Sequence, residues 1–182
     1  MTITGACGYS FIQYPRWALS VRQPWAYCLA AGWKTVENRS WRAGNPGLRF
    51  RGPVAIHAST GMTRDEYEDC AAVCSDNGYT CPPPADLLRG GIVGVGCVDD
   101  IVSEHESPWF FGPKALVIVG AQPVDFIPVG GRLGFFDWRE LLPFAKTDKP
   151  VEPAKWMLPP EAKVAKPKPE RPAVTGQQGT LL

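Results

Sequence analysis

The chain has no apolar run near the 18 residues that a membrane-crossing helix needs, and its first residues lack the basic-then-apolar layout of a secretion signal. A cytoplasmic protein that makes no membrane contact is the expectation. Cysteine is sparse, with Cys7, Cys28, Cys70, Cys74, Cys81 and Cys97 spread over 182 residues, which is too few for a disulfide scaffold of this size. Cys70, Cys74 and Cys81 with His105 could form a thiolate set, but they lack paired short-knuckle spacing, so small buried hydrophobes are expected and no metal. No Walker-type loop, Rossmann glycine fingerprint or HExxH pattern occurs, and no cofactor is expected.

Acidic residues are nearly missing from one region. Residues 16–51 hold Arg16, Arg22, Lys34, Arg39, Arg42, Arg49 and Arg51 against the single acid Glu37, a balance of +6. Residues 52–146 hold six bases and thirteen acids, a balance of −7, so the whole chain is nearly neutral at +1. Bulk attraction to a polyanion is thereby excluded, while a local basic surface in the first third is not.

Glycine and proline, 19 of each, predict loops and short strands rather than a helical bundle. A short N-terminal arm (1–15), one domain (16–146) and a disordered Pro/Lys-rich tail (147–182) are expected. Trp156, Met157 and Leu158 interrupt that tail with apolar groups that can dock back. Within the domain, period-2 alternation predicts strands over about 17–22, 33–41 and 54–59, a long strand over 92–102 and another over 115–119. Residues 124–129 and 132–137 flank Gly130-Gly131 with hairpin character. Pro24 to Gly32 spells a short apolar helix, and Thr63 with Glu66 forms a capping box opening a second helix that ends at Gly78. The pattern predicts an α+β fold, a small mixed β-barrel of five or six strands with flanking short helices.

The densest polar and aromatic constellation comprises Arg22, Gln23, Trp25, Lys34, Glu37, Asn38, Arg39, Trp41, Arg42, Arg51, His57 and Ser59. These residue types suit nucleic-acid recognition: Arg and Lys take phosphates, Asn, Gln and Glu read base edges, and Trp stacks bases. The catalytic alternative uses Glu37 as general base with Lys34 as electrostatic partner, or His57 as a ribonuclease residue.

The segments Ala18-Leu-Ser-Val-Arg-Gln-Pro-Trp-Ala26, Gly32-Trp-Lys-Thr-Val-Glu-Asn-Arg-Ser-Trp41 and Arg51-Gly-Pro-Val-Ala-Ile-His-Ala-Ser59 resemble the ASCH domain, a PUA-like family named for homology to activating signal cointegrator 1. Gly91 to Asp100 resembles that domain's central strand, and Ser107 to Pro113 with Gly131 to Phe136 resembles the form common in bacterial and phage members. The resemblance implies a pseudo-barrel with a cleft between barrel and first helix, and RNA or DNA as partner, with a modified or flipped pyrimidine as target. It also implies an alternative activity, since some compact members hydrolyse N4-acetylcytidine with a Lys and a Thr. Lys34 matches that Lys, and Glu37 stands where the Thr would be. Beyond the domain, Gln178-Gly-Thr-Leu181-Leu182 resembles the bacterial sliding-clamp-binding pentapeptide, which implies a clamp as a second partner.

Overall fold

The computed structural model describes residues 14–145 and 147–160, together with the backbone of residues 3–4 and 10–11. The clamp-like residues Gln178, Leu181 and Leu182 and most of the expected tail lie outside the described residues. Two short strands, β1 (Ile3–Thr4) and β2 (Ser10–Phe11), pair antiparallel. The main sheet contains β3 (Trp17–Val21), β4 (Val36–Arg39), β5 (Gly52–Ala58), β6 (Gly91–Val102), β7 (Lys114–Pro128) and β8 (Phe135–Asp137). Their order is β4-β7-β6-β5-β3-β8, with β3 and β5 parallel and every other pairing antiparallel. Helix α1 (Trp25–Ala30) follows β3, and α2 (Arg64–Asp76) follows β5. The expected α+β, PUA-like architecture is the one observed: a mixed six-stranded sheet curled into a half-barrel with few helices.

The curl comes from the two longest strands. β6 and β7 pair along most of their length, with register shifts after Ile92, Val95 and Val98, and such irregularities sharpen local twist. The glycines of β6 let neighbours approach closely. A Cβ on Gly94 would lie 2.6 Å from the Cβ of Ala30, so this position seats α1 directly on the strand. Ala26, Leu29 and Ala30 of α1 then pack with Leu19, Val21, Val54 and Ile56 as the main core. On the other sheet face, Ala18 and Ala55 join Ile92, Val129, Phe136 and Trp138, so β3 and β5 are covered on both faces, not on one as their alternation suggests.

The curl brings the edge strand β4 back toward β3 and β8. Arg39 donates to the Ser20 carbonyl at 2.9 Å, and the Trp41 ring meets Phe135 edge-on at 5.8 Å. Side chains, not a backbone ladder, bridge the gap. The expected hairpin about Gly130-Gly131 is corrected here: β7 ends at Pro128, and Phe135–Asp137 pairs with β3. The intervening turn is committed elsewhere, because Gly131 lies so near His57 and Ser20 that a Cβ on it would sit 2.5 Å from the imidazole. The expected strand over 33–41 is shorter than its alternation, covering Val36–Arg39 alone, the residues that lie in register with β7.

The capping box of α2 is present, with Thr63 accepting from the Glu66 amide and Glu66 accepting from the Thr63 amide at 2.8 Å. Further along the chain, Val151 donates to the Arg89 carbonyl, and Met157 is buried with Met62 and Leu87.

Candidate nucleic-acid interface

The gap between β4 and the β3–β8 edge forms an open cleft of about 640 Å³. Its walls are aromatic: Trp17 from the start of β3, Trp41 from just past β4, Phe50 from the turn before β5 and Phe135 from β8. Phe50 and Phe135 stack at 4.0 Å. Trp17 is 41% exposed, which makes it the accessible ring of the cleft. Trp41 is a fixed wall instead, since a Cβ on Gly47 would come within 2.5 Å of its ring.

Beneath the cleft lies a charged cluster built from β4 and the residues just before it. Lys34, 2% exposed, donates to Glu37 Oε2 at 2.6 Å and to the Val36 carbonyl. Glu37 Oε1 lies 3.2 Å from Arg39, whose guanidinium sits 5.5 Å from the centre of the Trp41 ring. The buried Nε of Arg39 makes no hydrogen bond among the described residues. One carboxylate between two cations keeps a net positive charge at the cleft floor, and Arg39 is oriented by Glu37, Ser20 and Trp41 together.

A smaller cleft of about 270 Å³ adjoins at Leu133, which borders both. It contains Ser20, His57, Ser59 and Arg132. His57 Nε2 faces the Val129 carbonyl at 2.9 Å, so that nitrogen carries the proton. Nδ1 is then an acceptor, and the Ser20 hydroxyl at 3.1 Å donates to it. Burial pushes the His57 pKa below its ordinary 6.5, which keeps the ring neutral and able to accept that proton. Since the unfolded chain then binds a proton that the folded chain refuses, this residue destabilises the fold as pH falls below about 6.5. His57→Gln should flatten that part of the stability–pH curve, measured by urea unfolding between pH 7 and 5.

The structure separates the remaining residues of the constellation. Gln23 is buried away from the cleft, donating to the Leu88 carbonyl and accepting from the Tyr27 amide. Asn38 clamps the 109–111 turn, donating to the Trp109 carbonyl and accepting from the Phe111 amide. Trp25 packs edge-on against Trp109 at 6.2 Å. Arg22 pairs with Glu66 and Arg51 with Asp100, and Arg42 is exposed. The cleft thus unites Arg39 and Trp41 with Trp17, Phe50, Phe135 and Leu133, none of which the constellation included. Their distance in sequence hid them, and alternation puts Trp17 on the face of the buried Leu19 and Val21, so its exposure was not legible either.

No family model matches the chain. Over 120 residues, covering 56% of this chain, it is 31% identical to the Homo sapiens protein Activating signal cointegrator 1. The chain spans about a fifth of that relative's length. The similarity is therefore to the protein for which the family resembled by residues 18–59 is named, and it supports an ASCH-like relationship over part of each chain.

Proposed function

We propose that this domain binds single-stranded or locally opened nucleic acid, taking an unpaired pyrimidine into the aromatic cleft between β4 and the β3–β8 edge. The observation that carries the reading is the accessible Trp17 ring in a cleft of ligand-binding size, floored by an oriented arginine. Base stacking on Trp17 supplies affinity that tolerates sequence, Arg39 faces the base or its phosphate, and Arg132 and Arg42 take the backbone. Similarity to the cointegrator and the ASCH resemblance support nucleic acid as the partner, whereas the place of the cleft rests on the geometry here, since the resemblance implies one between barrel and first helix.

Fluorescence titration with labelled RNA and DNA oligonucleotides at several salt concentrations tests it. Trp17 lies at the surface, so Trp17→Ala should fold normally and weaken binding by roughly 5- to 150-fold, the loss of one stacked base. Arg132→Ala should lower the salt slope by about one. Absence of binding at low salt, or binding indifferent to Trp17→Ala, would refute the proposal.

A second reading is favoured by one contact, the Ser20–His57 pair held by a main-chain carbonyl. In it Ser20 Oγ attacks the acyl carbonyl of an N4-acylated cytidine while His57 Nδ1 takes its proton and returns it to the leaving amine, and water later cleaves the acyl-serine. Here Lys34 and Glu37 position Arg39 instead of reacting, because Lys34 is 2% exposed and spent on Glu37. Turnover of N4-acetylcytidine that Ser20→Ala abolishes supports this reading. Turnover unchanged in that variant removes it.

A further inference from the structure

Helix α2 has thirteen residues, yet only Cys70 and Cys74 among them are fully buried. One turn apart, they point one face of the helix at Cys28 of α1. Cys28 Sγ lies 3.7 Å from Cys70 Sγ and 3.6 Å from Cys74 Sγ, and all three sulfurs fall within 4.8 Å of one another. Cys81, from the turn after α2, packs half-buried against the same cluster. Helices α1 and α2 thus bring three sulfurs to one point, and the turn after α2 sets a fourth beside them.

Ordinary hydrophobic docking accounts poorly for this arrangement. A surface helix usually buries a stripe of large side chains, three or four in every two turns. In α2 the fully buried part of that stripe is two thiols, with Tyr67 and Val73 partly buried beside them. The separation of the sulfurs, which is that of thiols in contact, also suits a set of metal ligands. Four thiolates about 2.3 Å from a tetrahedral zinc stand about 3.8 Å apart along each edge, which the two measured Cys28 distances approach. A disulfide would need about 2.05 Å, so these are reduced thiols set at ligand spacing. Trp109 and the ring of Trp33, stacked on Tyr79 at 4.7 Å, cover the cluster and shield it from water.

We propose that Cys28, Cys70 and Cys74, with Cys81 drawn in from the turn after α2 as fourth ligand, form a structural zinc site that fastens α2 and that turn to α1. Zinc enters as Zn²⁺ and displaces the four thiol protons to solvent, with no change of oxidation state. The expectation of no metal, drawn from irregular spacing, is replaced by this reading. The fourth ligand that the sequence suggested, His105, is exposed and accepts from the Ser107 amide instead. Cys28, 42 residues before Cys70, takes its place.

The full chain, purified under reducing conditions without chelator, should carry about one zinc per molecule by elemental analysis. Replacement by Co²⁺ should give a thiolate charge-transfer band and the intense visible absorption of a tetrahedral site. Half-buried Cys81 tolerates substitution best, so Cys81→Ser should fold and lose about a quarter of the charge-transfer intensity. Chain that stays metal-free after equimolar zinc, with a silent cobalt spectrum, would overturn the proposal. Bound iron in place of zinc, or a Cys81→Ser spectrum identical to wild type, would overturn the four-thiolate zinc assignment. The readout is independent of nucleic-acid binding, so either proposal can fail alone.

Discussion

Glu37→Gln should destabilise the domain by about 3 kcal/mol, because it leaves the Lys34 ammonium buried without its counter-charge. Lys34 is 2% exposed, and its only acceptors among the described residues are Glu37 and the Val36 carbonyl. A neutral amide can still accept one hydrogen bond, so what is lost is charge compensation more than geometry. For a chain of this length the loss corresponds to a melting-temperature drop of roughly 6–12 °C. Replacing both partners, Lys34→Met with Glu37→Gln, removes the stranded charge and should recover part of the loss, as apolar replacements of buried ion pairs do. Equal melting temperatures for wild type and Glu37→Gln would show that the pair contributes nothing. The substitution should also weaken oligonucleotide binding, since Glu37 is one of the groups that orient Arg39.

Ending the chain at Ala145 should cost about 3–5 kcal/mol, comparable to opening a large cavity in the core. The segment 147–160 covers Met62 and Leu87 with Met157, which is 3% exposed, and Trp156 sits 5.5 Å from the Arg64 guanidinium. It also supplies the Val151 and Glu152 carbonyls to Arg89, a side chain 5% exposed whose remaining acceptor is Thr60. Cutting the segment away strands a guanidinium in a half-opened apolar pocket. Met157→Ala alone should account for about 2 kcal/mol of the loss. Urea midpoints of the three proteins decide the matter: an unchanged midpoint for the shortened chain would mean that residues 147–160 add nothing to the fold. We propose on this basis that the folded unit extends to about residue 158, beyond the boundary at 146 that proline density suggests.

Local signals in the chain carried much of the architecture. Alternation located β3, β5 and β6, and the Thr63–Glu66 box opened α2 where expected. These are near-neighbour effects, in which backbone sterics, capping and side-chain periodicity act within a few residues. The concentration of positive charge before residue 51 was legible in the same way. Long-range closure was not. Whether Arg39 reaches Ser20, whether Phe135–Asp137 pairs with β3 or with its neighbour, and whether Trp17 or Trp25 lines the cleft all depend on how far the sheet curls. That curl is the sum of register shifts along β6 and β7, which no single residue announces. The thiol cluster shows the same division: the sequence placed Cys70 and Cys74 on one helical face, but only the packing of α1 against α2 brought Cys28 to them from 42 residues away. Contact between distant segments is decided by tertiary packing, because the pairing of surfaces depends on the global path of the chain and local preference does not encode it.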